Sequence, residues 1–261
     1  MEKQFFDLEY FDLKLDTDHI GRHFVYASEV TSTNNFLLDE RKKYSQNGTV
    51  LLAEFQSEGK GRKQRQWHSQ PNANLTFSIL LTDPALLSAN PNIINLATSL
   101  AVAVSIENLY QLRTELKWPN DVLIDSKKVA GILLESVSRG KRIERLVIGI
   151  GINVNQTAFQ SKFNIEPTSI RNETGQKVDR ERLLAEFLNC FEEQLSYVKR
   201  SPSNILKSWK LKCRMIGERI TITDDDFVKH GIFDDIDNNG FLLLKTDGKD
   251  EVMKFGDVSL R

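Results

Sequence analysis

Gly59, Lys60, Gly61 and Arg62 follow a run with strand character, GTVLLAEF, after three intervening residues, and lead into Lys63, Arg65 and Trp67 within EGKGRKQRQWHS. Glycine carries no Cβ, so such a backbone can approach a ligand closely, and the interleaved cations add charge and N–H donors. The segment therefore has the chemistry to hold an acidic ligand. It is not a Walker loop, because no Lys-Ser/Thr pair follows at the needed spacing. Nor is it a dinucleotide fingerprint, because Gln64 occupies the third glycine position and no helix opens there. Taken alone, the loop is a weak signal for which a solvated turn is the simpler account, and a grip on nucleic acid is a third reading.

Two further stretches carry polar groups in unusual settings. In KWPNDVLIDSKKVAGILLES, Pro119 sets a bend after Trp118, Asn120 and Asp121 offer an amide and a carboxylate, and Lys128 opens a β-rich run containing Gly131. In VIGIGINVNQ, Gly149 and Gly151 interrupt an apolar strand that ends on Asn153 and Asn155, a pattern that also reads as a strand bulge and its cap. Missing from the chain are a Gly-x-Ser-x-Gly elbow, an activated cysteine and a histidine in a catalytic setting, and Asp121 is the one obvious acid. Cations, glycines and amides suit a reaction whose attacking group is already ionised, with the site left to hold phosphates and spread negative charge. A carboxylate attacking the α-phosphate of ATP is such a reaction.

The chain as a whole narrows the choice. Its 35 Lys plus Arg balance 36 Asp plus Glu, for a formal net charge of −1, so any basic site is local and a general attraction to polyanions is excluded. The N-terminus lacks the basic and apolar regions of a secretory signal, and no apolar run approaches the ~20 residues that span a bilayer, which predicts a soluble, cytoplasmic protein. Cys190 and Cys213 lie far apart with no Cys-x-x-Cys pattern and read as reduced bystanders. His19 and His23 have a helical ligand spacing, but Gly21 lies between them and no third ligand is near, so zinc is not expected.

These residues must be positioned by a scaffold. HFVYAS, GTVLLAEF and NLTFSILL read as strands, with a helix capped by Thr31 or Ser32 through NNFLLDERKKY. NIINLATSLAVAVSIENLYQL, apolar around most of its circumference, reads as a buried helix starting near Asn92 or Asn95. Short strands cluster next (TELKW, DVLID, KVAGILLES, RLVIGIGINVN). Two helices follow, the first burying Leu183, Leu184, Phe187, Leu188, Phe191 and Leu195. Strands and helices alternate and then strands cluster, so the fold class is α/β (α+β): a mixed sheet with packed helices, not a regular doubly wound fold. After Cys213 come short strands joined by Asn-Asn-Gly and Asp-Gly turns, which predict a small all-β unit, a barrel against the main domain. The boundaries are 1–212 and 213–261. RLVIGIGINV, read as an apolar edge strand, offers a way to pair into a homodimer.

Taken in order, Ser32-Thr33-Asn34, Gln56, GKGR, RQWHS, KWPNDV, KKVAGILLE and GIGINVN resemble the biotin–protein ligases, in the superfamily shared with lipoate–protein ligases. The resemblance implies the class II synthetase-like catalytic fold of that superfamily with an SH3-like C-terminal barrel. It implies ATP, biotin and Mg2+ as cofactors, formation of biotinyl-5'-AMP, and transfer to one lysine of a biotin carboxyl carrier domain of a carboxylase. It also implies roles. Ser32, Thr33, Asn34 and Gln56 bind biotin, and Gly59, Lys60, Gly61 and Arg62 close over the adenylate. Trp67 and Asn153 serve the nucleotide. Asn120 and Asp121 lie near the phosphates, with Asp121 also the candidate for the metal. Lys128, with Arg62 the expected catalytic residues, stands between the biotin carboxylate and the α-phosphate, and Gly131 lets the backbone reach biotin. Many members carry arginine where this chain has Lys60, which lacks the bidentate fork. Only 31 residues precede Ser32, too few for the winged-helix domain of repressor members, so operator binding is not expected. A lipoate or octanoate ligase and a nucleic-acid-binding module are the competing expectations.

Overall fold

The computed structural model describes residues 6–41, 44–160 and 163–260. A sheet in the order β1-β2-β3-β7-β6-β5-β4 forms the centre of the larger unit. Its strands are β1 (Phe24–Val30), β2 (Thr49–Gln56), β3 (Leu75–Leu81), β4 (Thr114–Lys117), β5 (Asp121–Ile124), β6 (Lys127–Arg139) and β7 (Arg142–Ile152). β1 and β2 run parallel, joined through α2 (Thr33–Leu38), and every other pairing is antiparallel. Two-residue alternation sorts the side chains. Leu75, Phe77, Ile79 and Leu81 of β3, with Leu146, Ile148, Ile150 and Ile152 of β7, enter the main core. That core is completed by α4 (Pro91–Tyr110), α6 (Arg180–Arg200) and α7 (Pro202–Lys212).

The intervening positions Thr76, Ser78, Gly149 and Gly151 face the other side, where α2 packs through a smaller cluster of Leu37, Leu51, Leu80 and Val147. Ser32 caps α2 by accepting from the Asn35 N–H. Arg145 donates 2.8 Å to the carbonyl of Leu37, satisfying the far end of this helix. α2 is shorter than the expected helix through NNFLLDERKKY, and Lys42 and Lys43 of that run lie outside the described residues.

Three expectations are corrected. β7 lies between β3 and β6 and is no edge, so RLVIGIGINV offers no pairing surface; a strand apolar on both faces is one that both faces cover. Gly149 and Gly151 sit in an unbroken ladder with β3 and β6, not in a bulge. α4, capped by Asn90 and starting beside Asn92 as expected, is nevertheless an apolar run of 20 residues with a mean hydropathy of 1.4, enough to cross a membrane by length and composition, where no such run was expected. Two thirds of that stretch is buried inside the fold (67%), which is why it is apolar on nearly every side.

The smaller unit is an antiparallel sheet in the order β11-β10-β9-β8-β12. It comprises β8 (Arg219–Asp224), β9 (Phe227–Ile236), β10 (Leu242–Lys245), β11 (Asp250–Met253) and β12 (Asp257–Leu260). The Asn-Asn-Gly and Asp-Gly turns join β9 to β10 and β10 to β11 as expected. Trp118, in cis linkage to Pro119 and 2% exposed, donates 3.0 Å to the Gly240 carbonyl and so ties the two units together.

One buried ion pair fastens β2 to α6. Arg180 donates 2.5 and 2.9 Å to the two carboxylate oxygens of Glu54, which also accepts from the Tyr26 hydroxyl at 2.9 Å. Arg180→Met leaves Glu54 charged and buried with the tyrosine as its remaining side-chain partner, a loss of about 3–5 kcal/mol by the usual cost of breaking such a pair. Urea unfolding of the variant measures it, and a change under about 1 kcal/mol contradicts the assignment.

Candidate active site

A cavity of about 340 Å3 opens on the α2 face of the sheet, and residues from all three sequence stretches converge on it. At one end Thr33 donates to Gln56 Oε1 through its backbone N–H (2.7 Å) and its hydroxyl (2.9 Å). Ser78 Oγ lies 2.6 Å from both Thr33 Oγ1 and Asn34 Oδ1, and Asn34 Nδ2 donates 2.7 Å to Glu135 Oε2. Ser32, Thr33, Asn34 and Gln56 all line the cavity. Asn34 can lie flat on the sheet because Gly149 has no side chain: a Cβ there would stand 2.4 Å from Asn34 Oδ1.

The basic loop folds back on itself. Gly61 N–H donates 2.7 Å to the Arg65 carbonyl and Trp67 N–H 3.0 Å to the Gly59 carbonyl, while Lys63 and Gln64 turn the chain at φ of 52° and 56°. Gly59 does not line the cavity; a Cβ there would meet the Trp67 carbonyl at 2.4 Å, so its role is to let the returning segment pass. That return lays the Trp67 ring over Gly151, where a Cβ would fall 2.3 Å from the indole. At Gly131 the freed space is taken by the Lys128 side chain and the edge of the same ring. The Trp67 Nε1 and Thr76 Oγ1 atoms are buried with no partner among the described residues, and both residues line the cavity.

Charge concentrates here. Lys60, Arg62, Arg65, Lys117 and Lys128 line the cavity with Asp121 and Asp257 as its carboxylates, which makes this site strongly cationic in a chain of net charge −1. Lys128 Nζ sits 2.6 Å from Asp121 Oδ1 and 5.7 Å from the Trp67 ring centre. Lys117 Nζ is 3.8 Å from Asp121 Oδ2. Burial pushes the Asp121 carboxyl up, but Lys128 and Lys117 outweigh it and hold it below the usual carboxylate range. Burial draws the Lys117 ammonium below its usual value, against the pull of Asp121. Burial likewise draws the Arg62 guanidinium down, opposed by Asp257 and Asp121.

Arg62 donates 3.2 Å to Asn120 Oδ1 and, at 3.4 Å, to the Gly256 carbonyl and Asp257 Oδ1, so it bridges the loop, the KWPND turn and the smaller sheet. Asn120 Nδ2 donates 2.7 Å to the Ile132 carbonyl, and Asn153 Nδ2 lies 3.5 Å from the Lys128 carbonyl. Lys60 instead reaches Asn35 Oδ1 at 2.7 Å. Every site residue named from the sequence except Gly59 therefore lines one cavity. Thr76, Ser78, Lys117, Glu135 and Asp257 were not named and Arg65 was named only as a loop cation, and all of them either line the cavity or hold a residue that does. Burial pushes the thiols of Cys190 and Cys213 up to about 12 and about 11, which removes both as nucleophiles.

Residues 26–153 match the biotin/lipoate A/B protein ligase family, and residues 215–261 match the biotin protein ligase C terminal domain. The biotin–[acetyl-CoA-carboxylase] ligase of Paracoccus denitrificans is 32% identical over 216 residues, covering 80% of this chain and 88% of the relative. The chain belongs to the biotin/lipoate A/B protein ligase family. Another member, the bifunctional ligase/repressor BirA of Bacillus subtilis, is 32% identical over 249 residues, 94% of this chain and 76% of the relative. A solved biotin protein ligase from Aquifex aeolicus in complex with biotin and ATP superposes with a TM-score of 0.80 at 30% identity, over 92% of this chain and 99% of that one. Both units of the fold thus have counterparts within the family.

Proposed function

We propose that this chain is an ATP-dependent biotin–protein ligase that activates biotin as biotinyl-5'-AMP and transfers the biotinyl group to a lysine on the carrier domain of a biotin-dependent carboxylase. The observation that carries this reading is one cationic cavity whose lining joins Lys128, its ammonium 2.6 Å from Asp121, with the amide and hydroxyl groups of Ser32, Thr33, Asn34 and Gln56 and with Asn120.

Biotin offers two groups to recognise. Its ureido ring has N–H donors and a carbonyl acceptor, complementary to the Gln56 amide, the Asn34 amide and the hydroxyls of Ser32 and Thr33. The dithiolane of lipoate makes no such bonds and would leave these buried groups without ligand partners, which is how a polar site rejects an apolar analogue. The biotin carboxylate then attacks the α-phosphorus of ATP; a C–O–P bond forms, the bond to the β-phosphate oxygen breaks, and pyrophosphate leaves. Lys128 and Arg62 take up the charge that builds on the phosphoryl oxygens. In this reading Trp67 offers a flat ring to the nucleotide, and adenine is assigned to Asn153, which lines the same cavity. In the second step a neutral lysine amine of the acceptor attacks the acyl carbon and releases AMP.

A magnesium ion suits this site as an escort of the phosphates. Asp121 is the carboxylate that would hold it, and one carboxylate plus phosphate oxygens and water is an ordinary set for that ion. When bound it would neutralise phosphate charge. Among the described residues no three of His, Cys, Asp and Glu cluster as a metal cage. The nucleic-acid reading fares poorly, because Arg62, Lys63 and Arg65 all face carboxylates of the smaller sheet. We set the domain boundary between residues 212 and 213, and the buried free thiols accord with a cytoplasmic setting.

Incubating the protein with labelled biotin, ATP, magnesium and a carboxylase carrier domain tests the reading. ATP-dependent labelling of one carrier lysine is expected; no labelling contradicts it.

A further inference from the structure

Lys63 is the loop cation that the cavity does not use. Unlike its neighbours Arg62 and Arg65, it does not line the cavity; its side chain turns into the smaller unit and is only 22% exposed. There Nζ lies 2.5 Å from Asp224 Oδ1, at the end of β8, and donates 3.3 Å to the Thr223 carbonyl; Asp225 is further off at 3.8 Å. The Asp224 side chain is 13% exposed. Lys63 adopts a left-handed φ of 52°, which an L-residue takes only when its surroundings hold it there, and it sits at the apex of the fold-back that lays Trp67 across Gly151.

We propose that Asp224 is a positioning residue for the adenylation site. Through Lys63 it holds the tip of the basic loop against β8, so the smaller unit sets how often the loop lies open and how fast the acyl-adenylate escapes. This inference rests on the reading of the cavity as an adenylate site. Arg62 and Arg65 also contact the smaller unit at Asp257, but they face the ligand and have charge to give it. The Lys63–Asp224 pair faces away, so it can keep its geometry while Arg62 shifts toward a phosphate. Removing it changes the population of the closed loop and leaves the contacts to biotin in place.

The test uses the full chain loaded with biotin and ATP and measures dissociation of biotinyl-adenylate into an excess of trap, beside the Kd for biotin. Asp224→Asn and Lys63→Met are each expected to release the adenylate about tenfold faster, with the biotin Kd within twofold of wild type. The charge-swapped double variant Lys63→Asp with Asp224→Lys is expected to recover most of the loss, a rescue that general destabilisation does not produce. Aspartate also tolerates the left-handed φ at position 63. Release at the wild-type rate in both single variants overturns the inference, as does faster release that the swap leaves unchanged. A wild-type chain that forms no adenylate overturns the adenylation reading itself, and this inference with it.

Discussion

Lys128→Ala is expected to slow single-turnover formation of biotinyl-adenylate by about 10²–10³-fold, the usual effect of deleting one preorganised group that meets developing charge. The geometry supplies the reason. Lys128 Nζ is held between Asp121 and the Trp67 ring, in space that exists because residue 131 is glycine. The group is thus aimed before ligand arrives, and little reorganisation accompanies the reaction. The lost charge acts on the transition state more than on bound biotin, so the biotin Kd should move much less than the rate. Asp121 retains Lys117 at 3.8 Å, so the variant is expected to fold, which circular dichroism checks. An unchanged single-turnover rate in a folded variant removes Lys128 from the mechanism.

Arg62→Gly is expected to raise labelling of unrelated lysines, such as those of serum albumin, by at least about tenfold, the change that follows from losing ~1.4 kcal/mol of loop closure. Arg62 joins the loop to Asn120, Gly256 and Asp257, and among the described residues no other side chain of the loop is hydrogen-bonded to both the KWPND turn and the smaller sheet. Without it the loop is held by Lys63 and Arg65 alone on that side, and the mixed anhydride escapes before the acceptor arrives. Labelling that stays confined to the carrier lysine contradicts this role.

Much of the site was legible because its motifs combine glycines with polar groups inside apolar runs. The GIGI pattern of β7 is a two-residue alternation in which Ile148 and Ile150 serve the core while Gly149 and Gly151 clear space for Asn34 and Trp67. The same alternation in LTFSILL marks Thr76 and Ser78 as facing away from the core, so both polar positions are legible from the sequence. Lys117 stood inside a quoted motif, but only its burial beside Asp121 reveals that it shares that carboxylate with Lys128. Asp224 and Asp257 could not be read at all. They meet the loop across about two thirds of the chain, and acidic residues at strand ends look alike until the fold pairs them. The misreading of β7 as an edge has the same origin, since strand order is a long-range property that an apolar run leaves open between edge and centre.

The most direct test of the central claim is exchange of labelled pyrophosphate into ATP, run with magnesium and either biotin or lipoate at equal concentration. Adenylation by a bound carboxylate is reversible, so the acid that is activated drives the exchange. Exchange that depends on biotin, with lipoate inactive, is the predicted result. Exchange with lipoate alone, or with neither acid, contradicts it.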